Sequence, residues 1–227
     1  MLSHELLTAW CEFEEQHEQD FLDWHTSEHM PERIGIPGFL RARRYAELGD
    51  GLHRHFILYE LAGPEVLDSA AYRAKVNDPS PWTQRIQPSF RRNIRAACRL
   101  SLSRAGGKGP DIAVLWFASA DRVRVEHSVA DLRSHPDELS LGLHLGWLRS
   151  ADGELENREA VLRADSARMQ FDGMVLLEGA DAPRIGRAAG RLSHHLLGLP
   201  RTTSVEYGIF RLSAVLSPPN GDQRKGD

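Results

Sequence analysis

Asp20-Phe21-Leu22-Asp23-Trp24-His25-Thr26-Ser27-Glu28-His29-Met30-Pro31-Glu32-Arg33-Ile34, followed by Ile36-Pro37-Gly38-Phe39, sets the architecture expected of the first half of this chain. Phe21, Leu22, Trp24, His25 and Glu28 recur at three- and four-residue intervals, the spacing of neighbours on a helix surface, so a helix is expected over 18–34. Pro37-Gly38 then stops and turns the chain. A tryptophan, two histidines and a glutamate therefore share one short helix, just ahead of a turn.

Working outward, 6–13 is apolar-rich and of strand length. Segments 39–48 and 53–61 read as strands joined through Gly49-Asp50-Gly51, which is good hairpin chemistry. Pro64 sits just inside a second helix reaching to 76, where its missing N–H costs nothing. Asn77-Asp78-Pro79-Ser80-Pro81 breaks that helix, 82–92 reads as an irregular or short helical return, and 93–103 as a fourth strand. The order β-α-β-β-α-β predicts two β-α-β units sharing one antiparallel sheet, the ferredoxin-like arrangement.

Arg104-Ala105-Gly106-Gly107-Lys108-Gly109-Pro110 is the clearest linker. After it the pattern restarts: strand 111–119, a helix over 123–134 ended by His135-Pro136, strands 139–149 and 171–179, helix 183–197 and strand 203–216. The polar stretch 151–170 carries no clear pattern, and 217–227 reads as a disordered tail. The expectation is an α+β protein of two ferredoxin-like repeats, 1–103 and 111–216, joined by the linker 104–110. One sheet covered by helices on a single face leaves its other face apolar. Packing two such sheets face to face, as a barrel-like pseudo-dimer, buries both.

Bulk properties narrow the function. Lys and Arg number 28 against 32 Asp and Glu, so the net charge is -4 and the footprint of a nucleic-acid binder is missing. No apolar run approaches the ~20 residues of a membrane span. Met1-Leu2-Ser3-His4-Glu5 leads into no signal-peptide core, and a cytoplasmic location is expected. Cys11 and Cys98 are widely separated and read as buried free thiols of a reducing compartment. A structural zinc site would need more ligands at characteristic spacing.

Trp24-x4-His29-x-Pro31, Ile36-Pro37-Gly38-Phe39 and the Arg41–Tyr45 strand resemble the dimeric α/β-barrel superfamily, in particular its EthD-like members. Those proteins carry an aromatic residue and then His-x-Pro at the end of their first helix. The likeness covers about 5–103, including Leu58-Tyr59-Glu60-Leu61 and Ser80-Pro81-Trp82, whereas the second half matches only in element order. The resemblance implies a ligand cavity between sheet and helices or inside the barrel. Its wider relatives include monooxygenases, muconolactone-type isomerases, polyketide cyclases, dehydratases and haem-binding enzymes.

Taken on its own chemistry, His29 is the best general acid/base candidate, because an imidazole titrates near neutral pH. A structural hydrogen bond at the Pro31 turn is the competing role. His25 and His29, four apart, could share a metal, but the pair needs a third ligand. His53 and His55 alternate onto one strand face and could add imidazoles; no complete ligand set is visible, and no metal is assigned. Alternation groups Arg41, Arg43 and Tyr45 on one face of their strand, where they could bind a carboxylate or phenolate; ordinary exposed charge explains them equally simply. Tyr59 on the next strand could join them as a proton donor. Trp24, Tyr72, Trp82 and Phe90 could wall a planar substrate or simply fill a core.

The expected function is a cofactor-independent enzyme (isomerase, cyclase, dehydratase or monooxygenase-like) acting on a small planar, phenolic molecule. His29, Tyr59 and Arg43 would be catalytic, and Trp24, His25, Arg41, Tyr45 and Trp82 would contact the substrate. A non-catalytic binding module of the same fold is the main alternative, and a haem- or metal-dependent relative the third. Neither nucleic acid nor membrane is expected as a partner, and a homodimer is compatible with the fold.

Overall fold

A computed structural model describes residues 2–49, 53–105, 107–132, 141–149, 157–162 and 171–219. In the first half, β1 (Glu5–Glu12) leads into α1 (Glu15–Trp24), a π-helical turn (His25–His29) and α2 (Met30–Ile34). Strands β2 (Phe39–Glu47) and β3 (Arg54–Leu61) follow, then a 3-10 turn, α3 (Ala70–Asn77), α4 (Pro81–Ile86), a second 3-10 turn and β4 (Arg92–Ala105). The second half runs β5 (Asp111–Ser119), α5 (Arg122–Asp131), β6 (Gly142–Leu148), α6 (Arg158–Leu162), β7 (Gly173–Gly179), α7 (Ala182–Leu197) and β8 (Thr202–Leu216).

The eight strands close into one antiparallel barrel in the order β1-β3-β2-β8-β5-β7-β6-β4. The halves contribute β4-β1-β3-β2 and β8-β5-β7-β6, and they join by hydrogen bonding of β2 to β8 and of β4 to β6. Those two seams fall on the longest strands of the sheet. At 14 residues, β4 outruns its pairing with β1 and offers Cys98–Ala105 to β6, so the first residues of the expected linker lie in a strand.

Alternation along the strands gives each sheet an inner and an outer face. Leu6, Trp10, Tyr45, Phe56, Leu58, Ile112, Val114, Trp116, Met174, Leu176 and Phe210 fill the barrel. An eight-stranded barrel is just wide enough for side chains to fill. Trp10 and Trp116, one from each half, stack at 4.3 Å with planes 9° apart. Outside the barrel, the first-half helices cover Leu7, Cys11, Ile57, Tyr59 and Leu61. On the other side α5 and α7 cover Ala113, Leu115, Phe117, Leu145, Trp147, Val175 and Leu177. Each buried side chain of this kind contributes roughly 1.5–3 kcal/mol of hydrophobic stabilisation.

The Pro37-Gly38 turn does what its residues suggest. Gly38 has φ 96°, and a Cβ there would lie 2.5 Å from a methyl of Val66, so only glycine fits. The expected end of a helix at His135-Pro136, most of 151–170 and the tail from 220 onward lie outside the described residues. No described helix is long and apolar enough to cross a membrane.

Candidate functional site

The helix expected over 18–34 exists, but its hydrogen bonding changes in the middle. The Met30 N–H bonds the carbonyl of His25, five residues back, so His25–His29 form a π turn between α1 and α2. Such turns recur at functional sites. Residues five apart in an α-helix lie about 140° apart around its axis. The π register brings them round instead: the ring centroids of Trp24 and His29 lie 4.3 Å apart with planes tilted by 32°. The His25 ring, four residues before His29, lies 5.7 Å from it. The tryptophan is held from behind. Its indole N–H donates to Thr83 Oγ1 at 3.1 Å, and the Thr83 and Ser80 hydroxyls both donate to Glu28, pinning the π turn to α4.

Beneath this turn, between helix and sheet, lies a cavity of about 40 Å³. It is lined by Trp24, His25, His29, Arg33, Tyr59, Gln87, Asn93, Arg95 and Glu159 among apolar neighbours. His29 is partly exposed, while His25 (1%) and Tyr59 (4%) are sealed from solvent.

Arg44, on the outer face of β2, fixes the protonation pattern. Its guanidinium donates to Thr26 Oγ1 at 2.9 Å, to the Leu22 carbonyl at 3.2 Å and to His25 Nδ1 at 3.4 Å. Arginine can only donate. His25 Nδ1 is therefore the acceptor, and the ring proton sits on Nε2, 3.4 Å from the Tyr59 hydroxyl. Burial, then the nearby Arg44, His55 and Arg33, hold His25 well below the usual imidazole range, so it stays neutral. Burial likewise pushes the Tyr59 phenol up, keeping it protonated. With its oxygen accepting from His25, Tyr59 has its own O–H left to donate into the cavity.

Arg33, 2% exposed, closes the far wall. Its Nη2 donates to Glu159 Oε1 at 2.5 Å, and Nη1 reaches Glu32 at 3.4 Å. Glu159 comes from α6 in the second half, 126 positions away. These three residues and Arg44 are absent from the sequence-based site. Arg33 has a visible signal, since His25, His29 and Arg33 fall at successive four-residue steps, but Glu159 lies in a stretch without pattern.

The structure brings Trp24, His25, His29 and Tyr59 together and separates them from Arg43. This corrects the grouping of Arg43 with His29 and Tyr59. Tyr59 packs with the helix-covered face, whereas Tyr45 packs inside the barrel and its hydroxyl accepts from Arg43 at 2.9 Å. Arg43 also donates to Glu60 and Glu178, each at 3.1 Å, and Arg41 reaches Glu60 at 3.4 Å. Arg41, Arg43 and Tyr45 do share a face, as alternation requires, but it is the inner one. Burial pushes the Tyr45 phenol up to about 12. Trp82 donates to Asp20 at 2.9 Å and does not line the cavity; Phe90 does.

His53 and His55 both contact Glu18, at 2.6 and 2.8 Å, on separate carboxylate oxygens. Burial works against the Glu18 charge, but the two imidazole hydrogen bonds win and hold its carboxyl below the usual range. Among the described residues no three His, Cys, Asp or Glu side chains lie where they could hold one metal ion.

No family model and no curated protein sequence matches the chain. Solved structures do. An anthrone oxidase-like protein superposes with a TM-score of 0.63 at 7% identity, covering 95% of this chain and 93% of its own. A candidate monooxygenase from Fusobacterium nucleatum gives 0.55 at 12% identity, over 99% and 100%. A mutant chlorite dismutase from Candidatus Nitrospira defluvii gives 0.51 at 8%, over 94% and 93%. At such identities the likeness speaks for the backbone only. Strand order, closure and these neighbours together show an α+β fold of the dimeric α/β-barrel type.

Proposed function

We propose that the protein is an enzyme that moves a proton on a small planar, phenolic or enolisable molecule, without a cofactor, in the cavity under the π turn. The observation that carries this reading is the π turn itself, which brings His29 against Trp24 and beside His25 in the cavity that Tyr59 and Arg33 also line. His29, reachable from solvent, would take a proton from the substrate's acidic C–H or O–H. The Tyr59 O–H, oriented by neutral His25, would donate to the oxyanion that forms, and the Arg33 charge would stabilise it. Isomerisation, cyclisation, dehydration and oxygenation of such an anion all begin with this step. The name of the anthrone oxidase-like neighbour supports a planar phenolic substrate.

A non-catalytic module would be favoured by an apolar cavity that no histidine reaches; two histidines line this one, which supports the enzyme. The described residues of the second half's helix-covered face pack Val125, Val129, Leu192, Leu196 and Trp147 together, which favours the first-half cavity as the site. The same reading takes the halves as diverged copies of one ferredoxin-like, EthD-like unit. It is supported by the equivalent strand orders and by His29-x-Pro31. A cytoplasmic home is part of it, supported by Cys11 and Cys98 standing as buried thiols rather than as a disulfide.

The test is turnover of a panel of anthrones, naphthols and 1,3-diketones, followed by absorbance and oxygen uptake. Turnover should fall about 100-fold or more in His29→Ala, and by a similar order in Tyr59→Phe. Full activity of His29→Ala on a substrate turned over by the parent would overturn the assignment.

A further inference from the structure

We infer that Arg33 is the binding point for a carboxylate on the substrate, and that Glu159 is an internal stand-in which the substrate's carboxylate displaces. The inference rests on the cavity proposed above as the active site and names the chemical class that enters it.

Three observations meet here. First, Arg33, Arg95 and Tyr59 all line the cavity, and Glu159 is the one carboxylate among its lining residues. A guanidinium offers a planar fork that matches a carboxylate with two parallel hydrogen bonds. Glu159 Oε1 meets that fork at Nη2 at 2.5 Å, and Nη1 makes a long 3.4 Å contact with Glu32.

Second, Glu159 is presented by a short helix with an exposed outer side. α6 is five residues long, and its Val161 is 71% exposed. Outside the ion pair, its anchors include the Arg158 N–H to Asn77 Oδ1 at 3.2 Å and the Arg158 guanidinium to the Asn77 carbonyl at 3.4 Å. A buried ion pair roughly breaks even against its own desolvation. Leaving Arg33 buried with no carboxylate would be strongly destabilising, so a ligand that displaces Glu159 must bring a carboxylate of its own, and its ring contacts must offset the cost of association.

Third, the cavity is undersized and has an open acceptor. About 40 Å³ has room for a few water-sized spheres and none for an aromatic ring. Withdrawal of the Glu159 side chain would open room beside the Arg33 fork. The buried Asn93 Oδ1 on the cavity wall has no hydrogen-bond partner, and it would accept from a hydroxyl elsewhere on the ligand. The fitting ligand is thus a planar aryl or enol carboxylate with a hydroxyl donor.

Binding can be read without turnover. Benzoate, with benzyl alcohol as its neutral counterpart, should bind Glu159→Ala about tenfold or more tightly than the parent by calorimetry, and benzyl alcohol should not gain. The gain should vanish in the Arg33→Gln/Glu159→Ala double variant. In the parent protein, saturating benzoate should speed amide hydrogen exchange across 157–162, which covers the case in which the variants fail to fold. Benzoate binding no tighter in Glu159→Ala, an equal gain for benzyl alcohol, or unchanged exchange in the parent would each overturn the inference. None of these readouts involves His29 chemistry, so loss of one proposal leaves the other standing.

Discussion

The rings of Trp24 and His29, five positions apart, lie 4.3 Å from each other with planes tilted by 32°, a contact an α-helix would not make. The indole is tied to Thr83 on α4, so the histidine's position depends on a hydrogen bond made outside its own helix. Trp24→Phe keeps a ring against His29 and removes the N–H. It should cost about 1 kcal/mol in urea unfolding, the usual worth of a buried hydrogen bond. Trp24→Ala should cost about 3–5 kcal/mol.

The Gly38–Val66 contact makes a double-mutant prediction. Gly38→Ala meets both a positive φ and a methyl at 2.5 Å, and should destabilise by about 1–3 kcal/mol. Adding Val66→Ala should relieve the clash but not the backbone strain, so the two changes should not add. Additive losses in denaturant melts would show that the contact is not the source.

Inside the barrel, Arg43 sits between Glu60 and Glu178, remote from the helix-covered cavity. Arg43→Met leaves two buried carboxylates without that cation and should cost about 3–5 kcal/mol of stability. At a temperature where the variant is folded, its affinity for cavity ligands should match the parent's. A selective loss of ligand affinity would return Arg43 to the site.

His144 supplies a pH signature. It is fully buried on the inner face of β6, with Ser103 at 2.8 Å from Nδ1. Burial, then Arg43 and the positive charges of the N-terminus and Lys108, lower it from 6.5 to about 4. Its folded value lies below its unfolded one, so the unfolded chain takes the proton first. The contribution is complete above pH 6.5 and is lost as pH falls towards 4, by about 3 kcal/mol in total. His144→Gln should flatten that stretch of the stability–pH curve; an unchanged slope would show that other groups dominate it.

Much of this fold was written in alternation and punctuation. Pro37-Gly38 marked its turn, and alternation put Arg41, Arg43 and Tyr45 on one face. What alternation cannot say is which face meets the helices, because in this barrel both faces are covered. That is why Arg43 was grouped with Tyr59. The π turn was equally silent, since moving a hydrogen bond from four residues to five needs no particular side chain. Glu159 was illegible for a different reason: its helix buries one carboxylate rather than an apolar stripe, so it leaves no periodic trace.

Closure of the sheet within one chain has a further consequence. Among the described residues no strand of the ring keeps a free edge for pairing with another molecule. Two unlike halves enclosing one core also remove any need for symmetry. Among the described residues one outer face packs valine, leucine and alanine, while the other keeps a small cavity lined by histidine, arginine and tyrosine beside its apolar core.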